Sequence, residues 1–249
     1  MPEFMQDKEA EKVIYDRLRD YFSTRERLYT KGVFHVSDLL NPKQAYYKYT
    51  DPKPLSEREI GFFVAGLAHH FVVESAVTKT DAPVETPINW SPCDGITIVG
   101  RPDIRDYVFF QGEPNEFKTS RKWTIPEDPE GNYVDQLGCY CALANCPTGR
   151  ISVFYICPGR SWRGDSSTTP AVVVWKLKFS DAEIVGIKQR LADTANKLEQ
   201  AIEEKKPEVL PSCTSWFCGS KNKGKTSVNC KWYHECQPAG RYPEKLLGD

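Results

Sequence analysis

The sequence predicts an α/β fold, a central mixed sheet flanked by helices. Three observations carry that reading. Apolar residues recur at helical spacing over 7–30, 56–78 and 180–205. Short β-rich runs, broken by Gly95, Gly100 and Gly112 at expected turns, lie between them. The resulting order is helices, a short mixed sheet, a helix, strands and a final helix, which is the pattern of layered α/β packing.

Residues 7–30 predict a charged amphipathic helix, with Val13, Ile14, Leu18, Tyr21 and Phe22 near helical spacing. Ser37 reads as an N-cap for a short segment holding Leu39, Leu40, Tyr46 and Tyr47. Pro42 inside it marks a helix start or a break. Residues 56–78 predict a helix that is apolar nearly all round, from Ile60, Phe62, Phe63 and Val64 to Leu67, Phe71 and Val72. Such a helix is expected to be buried. The runs 84–90, 96–100, 103–110 and 113–119 read as strands. Residues 132–145 read as a helix built on small and apolar residues. The runs 151–157 and 171–179 are β-branched and read as strands. Ser180-Asp181-Ala182-Glu183 is a capping box that opens a long helix to about residue 205. Its apolar stripe is Ile184, Ile187, Leu191, Leu198 and Ile202, and Pro207 and Pro211 close it.

At 249 residues the chain allows one large domain, or one domain with an appended module. A hydrophobic fraction of 40% and a charged fraction of 27% are ordinary for a globular protein. The net charge of −1 gives no global basic field. A nucleic-acid partner would therefore be met locally, at the Lys/Arg clusters of 118–122 and 221–225. No apolar run approaches the ~20 residues of a membrane span, and the N-terminus lacks the order of a secretion signal. The expected setting is cytoplasmic, with no membrane partner. Nine cysteines, an odd number, argue against a disulfide framework in that setting.

The chemistry concentrates at Gly100-Arg101-Pro102-Asp103 and Glu116-Phe117-Lys118. On a strand, Glu116 and Lys118 share one face while Phe117 points the other way, into the core. Two carboxylates converging from neighbouring strands can hold a hard divalent cation through oxygen. A lysine beside them can orient a water or help deprotonate it, and metal-assisted phosphodiester hydrolysis needs that set. The blander reading is a surface aspartate and an exposed Glu-x-Lys face. Two further features bear on the choice. Gly66-Leu67-Ala68-His69-His70 sets adjacent histidines on the apolar helix, one of which can reach a metal. Gln136 and Tyr140, four residues apart, share a helical face and can hydrogen-bond a phosphate or a metal-bound water.

Gly-x-x-x-His, Gly-x-x-Asp, Glu-x-Lys and Gln-x-x-x-Tyr, in this order, resemble the RecB-type branch of the PD-(D/E)xK nuclease superfamily. The likeness is to the CRISPR-associated RecB-like exonucleases of the Cas-four type and their viral relatives, and it covers roughly residues 35–236. It implies a restriction-endonuclease-like core. It also implies metal ligation by His70, Asp103, Glu116 and the carbonyl of Phe117, with Mg²⁺ or Mn²⁺ as the ion. Lys118 would position the attacking water, and Gln136 and Tyr140 would support it or the scissile phosphate. His69 falls outside the motif and is read as structural.

Cys213, Cys218, Cys230 and Cys236 lie in a stretch too poor in apolar residues to bury four thiols, so metal ligation is the better account. The resemblance implies a [4Fe–4S] cluster held by one upstream cysteine and three C-terminal ones. Here Asn41 stands where the upstream cysteine is expected, and Cys213 is the substitute. Four local thiolates suit tetrahedral Zn²⁺ as well as iron–sulfur. The remaining cysteines read as ordinary buried thiols, with Cys93 a possible displaced ligand.

The expected organisation is a helical region at 1–80, a nuclease core at 81–206 and a cysteine-rich metal tail at 207–249. The expected function is a metal-dependent DNA exonuclease acting on single-stranded DNA ends, with CRISPR adaptation or repair proteins as partners. The alternatives are a structure-specific or restriction-type endonuclease, and a DNA-binding adaptation or repair subunit with a vestigial site. A zinc-ribbon tail on an inert scaffold leaves Asp103, Glu116 and Lys118 unexplained.

Overall fold

A computed structural model describes residues 8–23, 28–77, 86–103, 112–120, 122, 124–156, 170–211, 220–222, 225–227 and 232. Helix α1 spans Lys8–Ser23, inside the predicted 7–30. Strand β1 (Val33–His35) leads into helices α2 (Val36–Leu40) and α3 (Pro42–Thr50). Ser37 is not the cap of this segment. His35 caps α2 in a capping box with Asp38, and Ser37 sits inside the first turn. Pro42 opens α3 at its first position, where the missing N–H costs nothing. Helix α4 (Glu57–Val77) follows, then strands β2 (Ile88–Cys93), β3 (Ile96–Gly100) and β4 (Asn115–Ser120). Helix α5 (Gly131–Ala144), strands β5 (Thr148–Tyr155) and β6 (Ala171–Lys178), and helix α6 (Asp181–Glu204) complete the body. A short hairpin, β7 (Ser220–Asn222) with β8 (Lys225–Ser227), comes last. The predicted strand at 103–110 lies outside the described residues beyond Asp103.

The architecture is mixed α/β, with two small mixed sheets flanked by helices. In one, β3 pairs parallel with β1 and antiparallel with β2. In the other, β5 pairs parallel with β4 and antiparallel with β6. The turn into β1 uses Gly32 at φ 73°, where a Cβ would stand 1.9 Å from the Gly95 carbonyl oxygen. Only glycine allows that approach, and it lets the Thr97 N–H donate to the Gly32 carbonyl at 2.7 Å.

Helix α5 joins the two sheets. Cys139, Tyr140, Ala142 and Leu143 face a core built with Phe34, Ile98, Leu191 and Leu198. Leu137 and Cys141 face a second core with Ile151, Val153 and Tyr155. A helix packed on both sides must be apolar all round, and its Leu-Gly-Cys-Tyr-Cys-Ala-Leu run is. The same pattern led to a buried α4, and there the expectation fails. Phe62 and Phe63 keep 53% and 48% of their surface, and Val64 and Leu67 are exposed too. Ile60 alone among the predicted residues up to Leu67 is fully buried. The covered part of Phe63 meets α1, where the Phe22 and Phe63 rings lie 5.6 Å apart.

The capping box of α6 forms as predicted: the Glu183 N–H donates to Ser180 Oγ at 3.3 Å, and the Ser180 N–H donates to Glu183 Oε2 at 2.7 Å. The helix stops at Lys205, in the left-handed region at φ 55°. Glu199 on its inner face accepts from the Tyr29 hydroxyl at 2.9 Å and the Gly32 N–H at 3.2 Å, tying α6 to the β1 turn. In the tail, Trp232 is buried, and its indole N–H donates to the Asp51 carbonyl at the end of α3, at 2.8 Å. The predicted ligands Cys213, Cys218, Cys230 and Cys236 lie outside the described residues. Among the described cysteines Cys139 and Cys141 are buried and Cys93 is exposed. No described helix is long and apolar enough to cross a membrane.

Candidate active site

Strand β4 sets the geometry. The Arg150 N–H donates to the Pro114 carbonyl and the Ile156 N–H donates to the Ser120 carbonyl, both at 3.0 Å. In a parallel pair, alternate residues turn both backbone groups to the same neighbour. Residues 116 and 118 therefore bond towards β5, and the N–H and C=O of Phe117 point to the opposite edge. Asp103 waits there: its Oδ2 accepts the Phe117 N–H at 2.7 Å. The Phe117 carbonyl opens on that same edge, beside the Asp103 carboxylate.

The side chains follow the strand alternation. Glu116 is only 1% exposed and Asp103 8% exposed, so both carboxylates are withdrawn from bulk water. Ionised groups are costly to bury without partners. Lys118, two positions along the same face, closes an ion pair with Glu116 Oε1 while 23% of its own side chain stays exposed. Phe117, predicted to point into the core, is only half-buried and belongs to neither core cluster. On this strand the charged residue is the hidden one.

Helix α5 supplies the facing wall. Gln136 Nε2 donates to the Tyr140 hydroxyl at 2.9 Å, as their four-residue spacing predicts. Burial pushes the Tyr140 hydroxyl far up, and the Glu116 and Asp103 carboxylates add to this against the Gln136 hydrogen bond. Tyr140 therefore stays protonated at any working pH, within the electrostatic reach of both carboxylates. Its ring packs over Gly100, where a Cβ would stand 3.1 Å from Tyr140 Cδ1 and 3.0 Å from Leu143 Cδ2. Gly100 ends strand β3 and is not the predicted turn. Its missing side chain is the space that the tyrosine ring fills.

The fold thus brings Asp103, Glu116, Lys118, Gln136 and Tyr140 to one place. His69 and His70 ride on α4, which packs against β4, but their side chains lie outside the described residues. Among the described residues no group of three His, Cys, Asp or Glu side chains is arranged to hold a metal ion. Two groupings escaped the sequence. Glu113, just ahead of β4, binds Thr148 and Arg150 of β5 and Lys176 of β6. Tyr133 lies with its ring centroid 5.8 Å from Lys118 Nζ. The signal for Tyr133 was present, since it continues the Gln136–Tyr140 face one turn back. The Glu113 cluster joins residues 35 and more positions apart and leaves no local trace.

No family model matches the chain, and no curated protein matches it. Among solved structures, the crystal structure of SSO0001 is similar with a TM-score of 0.51 and 20% identity, covering 76% of this chain and 88% of that one. A phage-related exonuclease from Haemophilus somnus 129PT gives a TM-score of 0.41 and 14% identity, over 68% of this chain and 83% of that one. The first likeness is one of fold. The second is too distant to bear on the argument.

Proposed function

We propose that this chain is a metal-dependent DNA nuclease, and more narrowly an exonuclease acting on single-stranded DNA ends. One observation carries the reading: buried Asp103 accepts the Phe117 N–H at the outer edge of β4, and the residues on either side of Phe117, Glu116 and Lys118, form an ion pair. Two buried carboxylates and a backbone carbonyl are hard oxygen donors of the kind that Mg²⁺ or Mn²⁺ takes. Asp103, Glu116 and the Phe117 carbonyl would hold the ion, with His70 on α4 as the further ligand. A bound ion of this kind supplies Lewis-acid charge for a hydrolytic water and for the leaving oxygen.

The chain's own groups do the rest. Lys118 donates from its ammonium to the attacking oxygen and fixes its direction towards phosphorus. Gln136 occupies an acceptor position of the Tyr140 hydroxyl, which directs the tyrosine's own hydrogen outward, to a phosphate oxygen. Burial keeps that hydrogen in place. The water-poor setting strengthens each of these contacts as charge builds in the transition state. Cys213, Cys218, Cys230 and Cys236 would hold a [4Fe–4S] cluster or Zn²⁺ in the tail. Trp232, between Cys230 and Cys236 in the sequence, is seated on α3. A visible absorption spectrum with metal analysis on anaerobically purified protein separates the two: a broad visible band means iron–sulfur, a colourless zinc-loaded sample means a ribbon.

The nuclease test uses purified protein with Mn²⁺ and both linear and circular single-stranded DNA. Lys118→Ala and Asp103→Ala are each expected to lower cleavage at least ~10³-fold. Full cleavage by either variant sinks the assignment. Nicking of the circle makes the enzyme an endonuclease, and tight binding without turnover on either substrate makes the site vestigial.

A further inference from the structure

A lysine that aims at one oxygen needs its ammonium held in one place, and its four-carbon stem does not do this alone. Strand β4 fixes the backbone of Lys118, and Glu116 meets the ammonium from the same strand. A second hold comes from another element. The Tyr133 ring, in the first turn of α5, lies with its centroid 5.8 Å from Lys118 Nζ. That is within the range where a ring face attracts a cation. The ring is itself anchored, packed against the core of Leu137, Ile151 and Tyr155. Burial, then the Glu130 carboxylate and Tyr155, push its hydroxyl up to about 12, so it stays a neutral phenol. Tyr133, Gln136 and Tyr140 stand at i, i+3 and i+7, one continuous face of α5 over β4.

We propose that Tyr133 is a positioning residue for Lys118: its ring clamps the ammonium against Glu116 and so fixes the aim of the lysine at the reacting oxygen. None of the four sequence motifs contains Tyr133. The inference rests on the nuclease reading for its catalytic consequence, but not for the clamp itself. The clamp also accounts for the arrangement of polar groups on α5. Gln136 sets the Tyr140 hydroxyl, Tyr133 sets Lys118, and a single helix registers both against the carboxylates.

The test uses the full chain with ¹³Cε-labelled lysine, the Lys118 resonance being the one that disappears in Lys118→Met. A ring face above the ammonium shields the adjacent methylene protons, so this resonance is expected upfield of the other lysines. Tyr133→Phe, which keeps the ring, is expected to keep the shift, and Tyr133→Leu, which keeps bulk alone, to abolish it. In cleavage assays Tyr133→Leu is expected to lose about tenfold in kcat with KM little changed, and Tyr133→Phe to recover most of that loss. An unshifted Lys118 resonance in the wild type, or a shift that survives Tyr133→Leu, overturns the clamp. Undiminished cleavage by Tyr133→Leu overturns the positioning role. A wild type that shows the shift but cleaves no DNA leaves the clamp standing and removes the nuclease reading instead.

Discussion

Two glutamates three positions apart, Glu113 just ahead of β4 and Glu116 within it, are both buried, at 7% and 1% exposure, yet they are held in different ways. Glu113 Oε1 accepts from the Thr148 hydroxyl at 2.6 Å and the Lys176 ammonium at 3.1 Å, and Oε2 pairs with Arg150. Thr148 and Arg150 come from β5 and Lys176 from β6, where Arg150 and Lys176 are direct register partners. Burial raises the Glu113 carboxyl, but the hydrogen bonds from Thr148 and Lys176 and the Arg150 charge outweigh it and hold the carboxyl below the usual range. This carboxylate fastens the segment leading into β4 to β5 and β6. The Glu116–Lys118 pair joins two positions of a single strand. Its surroundings are Asp103, the Phe117 edge and the α5 tyrosines. A buried charge that cross-links elements is accounted for by the fold. One paired along its own strand, next to a second carboxylate and a partly exposed ammonium, is a candidate for chemistry.

The comparison can be broken most directly at Glu116. Glu116→Gln keeps the shape and removes the charge. DNA cleavage with Mn²⁺ is expected to fall ~10³-fold, about 4 kcal/mol of transition-state stabilisation. The melting temperature should hold or rise, because an ionised carboxylate is no longer buried. A variant that unfolds instead makes Glu116 a second Glu113.

Glu113→Gln should do the reverse. Removing one member of a buried ion cluster is expected to destabilise by on the order of 3 kcal/mol, about 6–12 °C in melting temperature for a chain of this size. Cleavage per folded molecule should be retained. The pH dependence follows from the lowered carboxyl. The folded state favours the ionised form, so the stabilisation is present above the range where an unfolded glutamate titrates. It fades as pH falls through the lower folded value. Calorimetric melting of wild type and variant should differ most near pH 7 and converge below about pH 4. A gap that widens in acid contradicts the assignment.

The smallest effect sharpens the comparison from the other side of the site. Gly100→Ala places a methyl against Tyr140 Cδ1 and Leu143 Cδ2, close enough that both must shift by a few tenths of an ångström. The expected cost is about 1 kcal/mol in stability and about tenfold in cleavage through the displaced tyrosine hydroxyl. Activity equal to the wild type would detach Tyr140 from the chemistry.

What could be read from the sequence was local. The Ser180–Glu183 box and the Ile187–Leu191–Leu198 stripe fixed α6, because a cap and a stripe are defined by neighbours three and four residues away. The shared face of Glu116 and Lys118, and of Gln136 and Tyr140, was legible for the same reason. What escaped was where each element ends up. Helices α4 and α5 look alike as apolar runs, yet α5 is sandwiched between two cores and α4 leaves Phe62 and Phe63 in the open. Phe117 was expected inward, but the inner position on β4 went to Glu116.

The sequence by itself therefore determined which residues share a face, which caps form, and which acids, lysine and tyrosine are available for chemistry. These follow from backbone periods of 3.6 and 2 that hold whatever the chain packs against. Only the tertiary structure decided that Asp103 meets the Phe117 edge, that Glu113 belongs to the scaffold, and that Gly100 makes room for a tyrosine. Each of these joins groups distant in the chain, and the choice among such meetings is made by how the cores fill, which no short window of sequence contains.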